Sequence, residues 1–231
     1  MMEKCSIIDK ARKESRSILT EFESKRLLKQ IGIPVVETKL AKTQKEAVLL
    51  SQKMGFPIAL KISSPDVIHK TDSGGVKLDL KNVSEVKQAY HEILEAIRKQ
   101  YPHALIQGVS VQKMVRPGTE VIVGASKDPQ FGPVIMFGLG GIFVEVFKDV
   151  SFRIIPIDQR DAKEMIKELK GYPLLQGFRG KEPASIPSLV EIILNISSFV
   201  QENPEIKELE LNPIFAYKDG AVAVDARIIL E

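Results

Sequence analysis

Cysteine is nearly missing: Cys5 is the single one in 231 residues. A lone thiol allows no internal disulfide and no cysteine-based metal cage, which fits a reducing, cytoplasmic compartment. Long apolar runs are missing as well. Residues 1–20 contain nothing long enough for a secretory signal, and no stretch approaches a membrane span. Charge of one sign is also scarce. Thirty-three Lys and Arg stand against 30 Asp and Glu, a formal net charge of +3. A nucleic-acid or anionic-membrane surface would need a strongly basic face, so neither partner is expected. Residues 1–30 hold eight basic and five acidic residues, which leaves 25 of each sign in residues 31–231. The surplus therefore lies wholly in the first segment. With no internal repeat or low-complexity linker, fibrous, disordered, membrane and disulfide-scaffold classes are excluded.

What is present is an ordinary globular composition, 44% hydrophobic and 27% charged. The length suggests one or two domains. Ile7, Ile8, Ala11, Ile18, Leu19 and Phe22 recur loosely at helical spacing and read as an amphipathic helix. Thr20 with Glu23 matches a capping box opening a second helix, which Gly32 and Pro34 close. Residues 35–40, 57–62 and 76–80 read as strands. Thr43 with Glu46 caps a helix between the first two, and Ser84 caps a longer one after the third. From residue 106 the texture changes to successive strands, 106–115, 119–125, 134–137 and 152–157, split by Pro-Gly, Asp-Pro and Gly-rich breaks. Asp158 opens a helix to Leu169, residues 187–200 form another, and a hairpin of 206–217 with 221–229 turns at Lys218-Asp219-Gly220. The expected division is a segment 1–19 without signature, a lobe 20–105 and a lobe 106–231. Two α/β lobes sharing a cleft is the natural architecture, and ligands favour such interfaces.

The common short motifs fail. Gly138-Leu139-Gly140-Gly141 has Phe143 where a dinucleotide fingerprint needs its third Gly. Gly180-Lys181-Glu182 is no P-loop, and His91-Glu92 has Glu95 where a zinc-binding helix needs His. No nucleophile elbow occurs. Phosphate chemistry, if present, must use another scaffold.

Four places carry chemistry. Lys61 points away from Ile58, Leu60 and Ile62 on its strand, toward solvent or toward an anion in a cleft. In the loop from Ser63 to Gly75, the paired Gly74 and Gly75 let backbone amides approach a phosphate. His69, with Lys70 beside it and Asp66 and Asp72 nearby, suits a proton carrier, a phosphoryl acceptor or an ordinary surface histidine. His91 and His103 lack such company and read as structural or exposed. In the third place, Gln112-Lys113-Met114-Val115 leads through Pro117-Gly118 to Glu120, which is either a hydroxyl acceptor or an exposed hairpin acid. In the fourth, alternation puts Glu208, Glu210 and Asn212 on one face, with Asp225 on the returning strand. If the turn is Lys218-Asp219, Asn212 and Asp225 pair directly; a turn on Asp219-Gly220 makes them diagonal. Converging oxygens of this kind suit Mg²⁺ with phosphates.

In order and spacing these pieces resemble the ATP-grasp β subunit of ADP-forming acetyl-CoA (acyl-CoA) synthetases, relatives of the succinyl-CoA synthetase β subunit. The resemblance rests on Glu23-Ser24-Lys25 with Gly32-Ile33-Pro34-Val35, Gly55-Phe56-Pro57 leading to Lys61, and His69-Lys70-Thr71-Asp72-Ser73-Gly74-Gly75-Val76. It continues through Pro117-Gly118-Thr119-Glu120, Phe137-Gly138-Leu139-Gly140-Gly141-Ile142, and Glu208-Leu209-Glu210-Leu211-Asn212-Pro213 to Asp225. It implies an ATP-grasp fold, ATP/ADP and Mg²⁺, and the reaction acyl-CoA + ADP + Pi ⇌ carboxylic acid + CoA + ATP. It further implies a CoA-binding α subunit carrying a phosphohistidine, in an α2β2 heterotetramer. By the same resemblance Lys61 contacts nucleotide phosphates, Gly74 and Gly75 cover them, Gln112, Lys113, Met114 and Val115 line the adenine, and Glu120 holds the ribose. Asn212 and Asp225 hold Mg²⁺, Glu210 stabilises the incoming phosphohistidine, Arg153 is a further phosphate contact, and His69 shuttles the phosphoryl group. Two other readings stand beside this one: a stand-alone ATP-grasp carboxylate–amine ligase, and a non-catalytic nucleotide-binding module.

Overall fold

The computed structural model describes every residue except Met1, Ile68, Ile142, Phe143, Glu145 and Lys181, and Met2–Ser6 by backbone alone. The Phe143 position, the Ile142 end of the glycine motif and Lys181 therefore lie outside the described residues. The chain divides into two compact units. An inserted unit comprises Thr20–Glu23 and Val36–Arg116, and a flanking unit comprises Met1–Leu19, Ser24–Val35 and Pro117–Glu231.

The inserted unit is a four-stranded antiparallel sheet under two helices. Its strands are β1 (Thr38–Ala41), β2 (Ile58–Ser63), β3 (Val76–Leu80) and β4 (Gly108–Lys113), in the order β1-β4-β2-β3. Between them run helices Gln44–Met54 and Val83–Gln100. Thr43 caps the first as expected, accepting from the Glu46 amide at 3.2 Å. The second is capped by Asn82, which accepts from the Glu85 amide at 3.0 Å, and not by Ser84. Ser84 lies inside that helix, which starts at Val83; Asn82, an equally good capping type, is the extended residue before it and so does the capping. Ile58, Leu60 and Ile62 meet Val86, Tyr90, Ile93 and Ile97 in a closed core. The change of unit falls after Arg116, not after Leu105. Gly108–Lys113 pairs with both Ile58–Ser63 and Thr38–Ala41, so it completes the first sheet.

The flanking unit holds the six-stranded sheet. Its strands are β5 (Thr119–Asp128), β6 (Gly132–Leu139), β7 (Val150–Ile154), β8 (Ile206–Tyr217), β9 (Gly220–Ala223) and β10 (Ala226–Leu230). They run β10-β8-β5-β6-β7 with β9 on β8, all antiparallel. Helices Gln159–Lys167 and Ile186–Glu202 cover one face, burying Met165, Ile193 and Phe199 against Ile135 and Phe137. Each such side chain contributes roughly 1.5–3 kcal/mol on burial. The helix opened by Asp158 carries a full capping box with Asp161. A short helix, Tyr172–Leu175, follows.

The N-terminal helix spans Met2–Lys13, shorter than expected. Ser15 takes φ 54°, and the following residues leave the helix to bond β10. The Leu19 amide donates to the Ile228 carbonyl at 3.0 Å, and Ile18 bridges to Ile229. Their apolar periodicity thus belongs to a strand-like edge. The second helix, Glu21–Gln30, begins with the Thr20–Glu23 box: each residue's side chain accepts from the other's amide, at 3.4 and 2.9 Å. It ends at Gly32, φ 81°, where the Ile33 amide reaches back to the Leu28 carbonyl. Among the described residues no helix is long and apolar enough to cross a membrane.

Candidate functional site

In the inserted unit β2 is an inner strand, buried along both faces. Lys61 is therefore not an edge lysine reaching solvent. It is 5% exposed, and its Nζ donates to Glu21 Oε1 at 3.0 Å. Glu21 stands in the first turn of its helix, directly after the Thr20 cap. Its other oxygen, Oε2, accepts from Lys70 Nζ at 3.0 Å. The three side chains are 6%, 4% and 18% exposed. A buried carboxylate is tolerated because both oxygens meet cations; stripping one partner from such a pair costs about 3–5 kcal/mol. Neither Glu21 nor this use of Lys70 was legible at the sequence level.

His69 is exposed, in the turn that follows β2. Its carbonyl accepts from the Ser73 amide at 3.2 Å and the Ser73 hydroxyl at 2.9 Å. Gly74, at φ 73°, permits the turn, and the amides of Gly74 and Gly75 donate to the Thr71 and Lys70 carbonyls. The glycine amides thus close the turn on itself. A Cβ on Gly75 would sit 2.7 Å from Ile62 Cγ2, so the second glycine lets the turn press onto β2. Gln112 is buried on β4. Lys113 Nζ donates to the Gly55 and Phe56 carbonyls at 2.9 and 3.3 Å, and the Lys113 and Met114 amides donate to Glu37 and Pro57. The segment Gln112–Met114 is thereby held from both sides; Val115 is half-buried beyond it. His91 and His103 are exposed.

In the flanking unit the hairpin register answers the turn question. Tyr217 pairs with Gly220, Ile214 with Ala223 and Leu211 with Ala226. Three steps on each strand separate the last two pairs, so Asn212 falls opposite Asp225. Leu209 and Leu211 are buried while Glu208, Glu210 and Asn212 are not, as the alternation requires. Glu210 has both oxygens engaged: Arg227 Nη2 donates to Oε2 at 3.0 Å and Asn212 Nδ2 to Oε1 at 3.2 Å. The Asn212 amide nitrogen being turned to Glu210, its carbonyl oxygen is left for another partner. That oxygen and the Asp225 carboxylate fit a hard cation that takes one or two protein oxygens and fills its shell with phosphates. Among the described residues no group of three or more acidic, His or Cys side chains gathers as a metal cage. A cavity of about 190 Å³ opens on this face, lined among others by Met136, Phe152, Glu208, Glu210 and Arg227. Arg227 escaped sequence reading, although it lies two residues past Asp225, in register with Glu210.

Glu120 is exposed on β5, and its Oε2 would lie 3.2 Å from a Cβ on Gly141, with the Gly140 amide on its carbonyl. Only glycines admit so close an approach. Arg153 is committed to Glu168 through both terminal nitrogens, one at 3.0 Å. That hydrogen bonding raises the Arg153 pKa and holds the Glu168 carboxyl below its ordinary range.

Two mixed units, a glycine-bordered acid on β5 and an Asn/Asp pair across a terminal hairpin define a class. The chain belongs to the ATP-grasp family, whose ATP-grasp domain model matches residues 10–230. It is 52% identical over 224 residues to the β subunit of ADP-forming acetate–CoA ligase I of Pyrococcus furiosus, covering 97% of this chain and 96% of that one. Among solved structures it resembles the dinucleotide-forming acetyl-coenzyme A synthetase 1 of Ca. Korarchaeum cryptofilum in complex with coenzyme A, Ca-AMPCP and HgCl+. There the TM-score is 0.96 and the identity 48%, over 99% of this chain and 100% of that one. The Se-Met form of the same protein, with coenzyme A and Mg-AMPPCP and its phosphohistidine segment pointing towards the nucleotide site, matches at TM-score 0.87 and 46% identity. That match covers 99% of this chain and 100% of the other. Within the ATP-grasp family, then, this chain falls with the β subunits of ADP-forming acetate–CoA ligases.

Proposed function

We propose that the chain is the nucleotide-binding subunit of an ADP-forming acyl-CoA ligase and works with a CoA-binding α subunit in an α2β2 assembly. The observation that carries this reading is the face on which Glu210, Asn212 and Asp225 stand together. Asn212 and Asp225 would hold Mg²⁺, which when bound supplies charge neutralisation on the nucleotide phosphates. Lys61 and Arg227 add fixed positive charge, and positioning with neutralisation is most of what phosphoryl transfer demands. Gln112, Lys113, Met114 and Val115 serve the adenine, Glu120 the ribose hydroxyls, and Gly74 and Gly75 form the turn that covers the phosphates. Arg153 remains a phosphate contact only by leaving Glu168.

His69 is the carrier. A neutral ring nitrogen attacks the phosphorus of the partner's phosphohistidine; the new N–P bond forms as the old one breaks, and the partner imidazole leaves neutral. ADP then takes the phosphoryl group through a β-phosphate oxygen, the His69 N–P bond breaks, and ATP forms. A neutral imidazole offers one ring nitrogen with a lone pair, and so serves as nucleophile in the first step and as leaving group in the second. Glu210 accepts the ring N–H of the incoming phosphohistidine. The site of action is the cytoplasm.

The test mixes this chain with a candidate α subunit, acetyl-CoA, ADP and phosphate, following ATP and an acid-labile phosphoryl-protein. ATP formed only with the partner supports the reading. ATP without a partner indicates a stand-alone ligase, and none under any pairing a silent binding module. His69→Ala should lower turnover by more than about a thousandfold while ADP still binds, since a covalent carrier has no substitute.

A further inference from the structure

We propose that Glu21 and Lys70 are positioning residues for His69, tying the turn that carries it to the lysine that meets the nucleotide phosphates. The inference rests on His69 being the phosphoryl carrier and adds what holds that carrier in place.

Glu21 is 4% exposed and bonds two ammonium groups from different parts of the unit, each at 3.0 Å. The two differ in freedom. Lys61 belongs to an inner strand whose neighbours β3 and β4 pair with it on both sides. Lys70 belongs to the turn, so its ammonium is placed by the carboxylate and not by a sheet. From Lys70 the constraint travels one residue. The Lys70 carbonyl accepts from the Gly75 amide at 2.7 Å and the Ser73 hydroxyl at 3.1 Å. The same hydroxyl bonds the His69 carbonyl at 2.9 Å. Fixing Lys70 therefore fixes the backbone that presents the imidazole.

The arrangement also responds to charge. A phosphate arriving at Lys61 competes with Glu21 for one ammonium and repels its carboxylate. Nucleotide occupancy and the hold on Lys70 are thus linked through a single side chain. A merely structural ion pair would not connect the two.

The test compares the full-length chain with its Lys70→Met, Lys70→Arg and Glu21→Gln variants by hydrogen exchange over residues 69–75. Losing one charge-assisted bond should raise exchange there by about tenfold in Lys70→Met, with Arg restoring it. With a partner subunit, the same variant should lose about tenfold in kcat while ADP affinity stays within roughly threefold. Mg²⁺ and ADP should change exchange at 69–75 in the native chain and leave Lys70→Met unchanged. Native exchange in both Lys70→Met and Glu21→Gln would overturn the proposal, as would raised exchange with native kcat. Lys70 is partly exposed, so its variants keep the test open if Glu21→Gln fails to fold. Turnover surviving in His69→Ala sinks the carrier reading alone and leaves the exchange result to stand.

Discussion

Glu21 and Glu210 are carboxylates in the same predicament, solved in opposite ways. Each has both oxygens engaged: Glu21 by Lys61 and Lys70, Glu210 by Arg227 and Asn212. Glu21 is 4% exposed, whereas the Glu210 side chain is 34% exposed beside an Arg227 that is 43% exposed. In the buried cluster the charges have left water, so each partner is held by what its loss would uncover. In the open one, solvent screens the pair and substitutes for either member at small cost. The first suits a fixed scaffold. The second suits a group that exchanges partners, as the role proposed for Glu210 requires.

Substitution of the cations should separate the two most widely. Lys61→Met is expected to destabilise the chain by about 3–5 kcal/mol in urea unfolding, because Glu21 loses its buried lysine partner. Arg227→Met should cost about 0–1 kcal/mol. Equal losses would erase the distinction. Gly75→Ala probes the stiffness of the buried side. Its Cβ would meet Ile62 Cγ2 at 2.7 Å and the Lys70 carbonyl at 3.0 Å, and a clash of that kind costs about 1–3 kcal/mol by the same measurement. On the open side, Asp225→Asn should weaken the Mg²⁺ dependence of nucleotide binding about tenfold with little change in folding. An unaltered Mg²⁺ titration removes Asp225 from the site. The smallest effect is expected for Glu168→Gln. The Arg153 hydrogen bonds lower the Glu168 pKa from 4.5, so the pair's contribution is present above that value and fades as pH falls through the lowered folded one. A native-versus-variant difference in acid unfolding that grows as the pH falls would contradict it.

Local chemistry was readable and long-range pairing was not. The Thr20 and Thr43 caps, the alternation of Glu208 to Asn212 and the turn at Lys218-Asp219 depend on residues a few positions apart. Asn212 and Asp225 could be narrowed to a direct or a diagonal pair because a tight turn counts residues, and the register of Tyr217 with Gly220 selects the direct one. The apolar pattern through Ile18 and Leu19 misled, because those residues answer to Ile228 and Ile229 at the other end of the chain. Glu21 looked like an ordinary acid in a first helical turn. Its partners lie 40 and 49 residues away, and nothing in its neighbourhood announces them. Arg227 was within reach: extending the alternation one step past Asp225 puts it beside Glu210.

The bonds between residues 17–19 and β10 also bear on how the chain is made. The Leu230 amide meets the Ser17 carbonyl at 2.6 Å, and the Leu19 amide meets Ile228. The flanking unit therefore draws on residues that both precede and follow the stretch 36–116. Residues 36–116 form an uninterrupted stretch with a separate core and can close while the ribosome is still working. Ile18 and Leu19 must wait for their strand partners until β10 emerges. Removing β10 would leave residues 17–19, which precede it by the whole inserted unit, without these backbone partners.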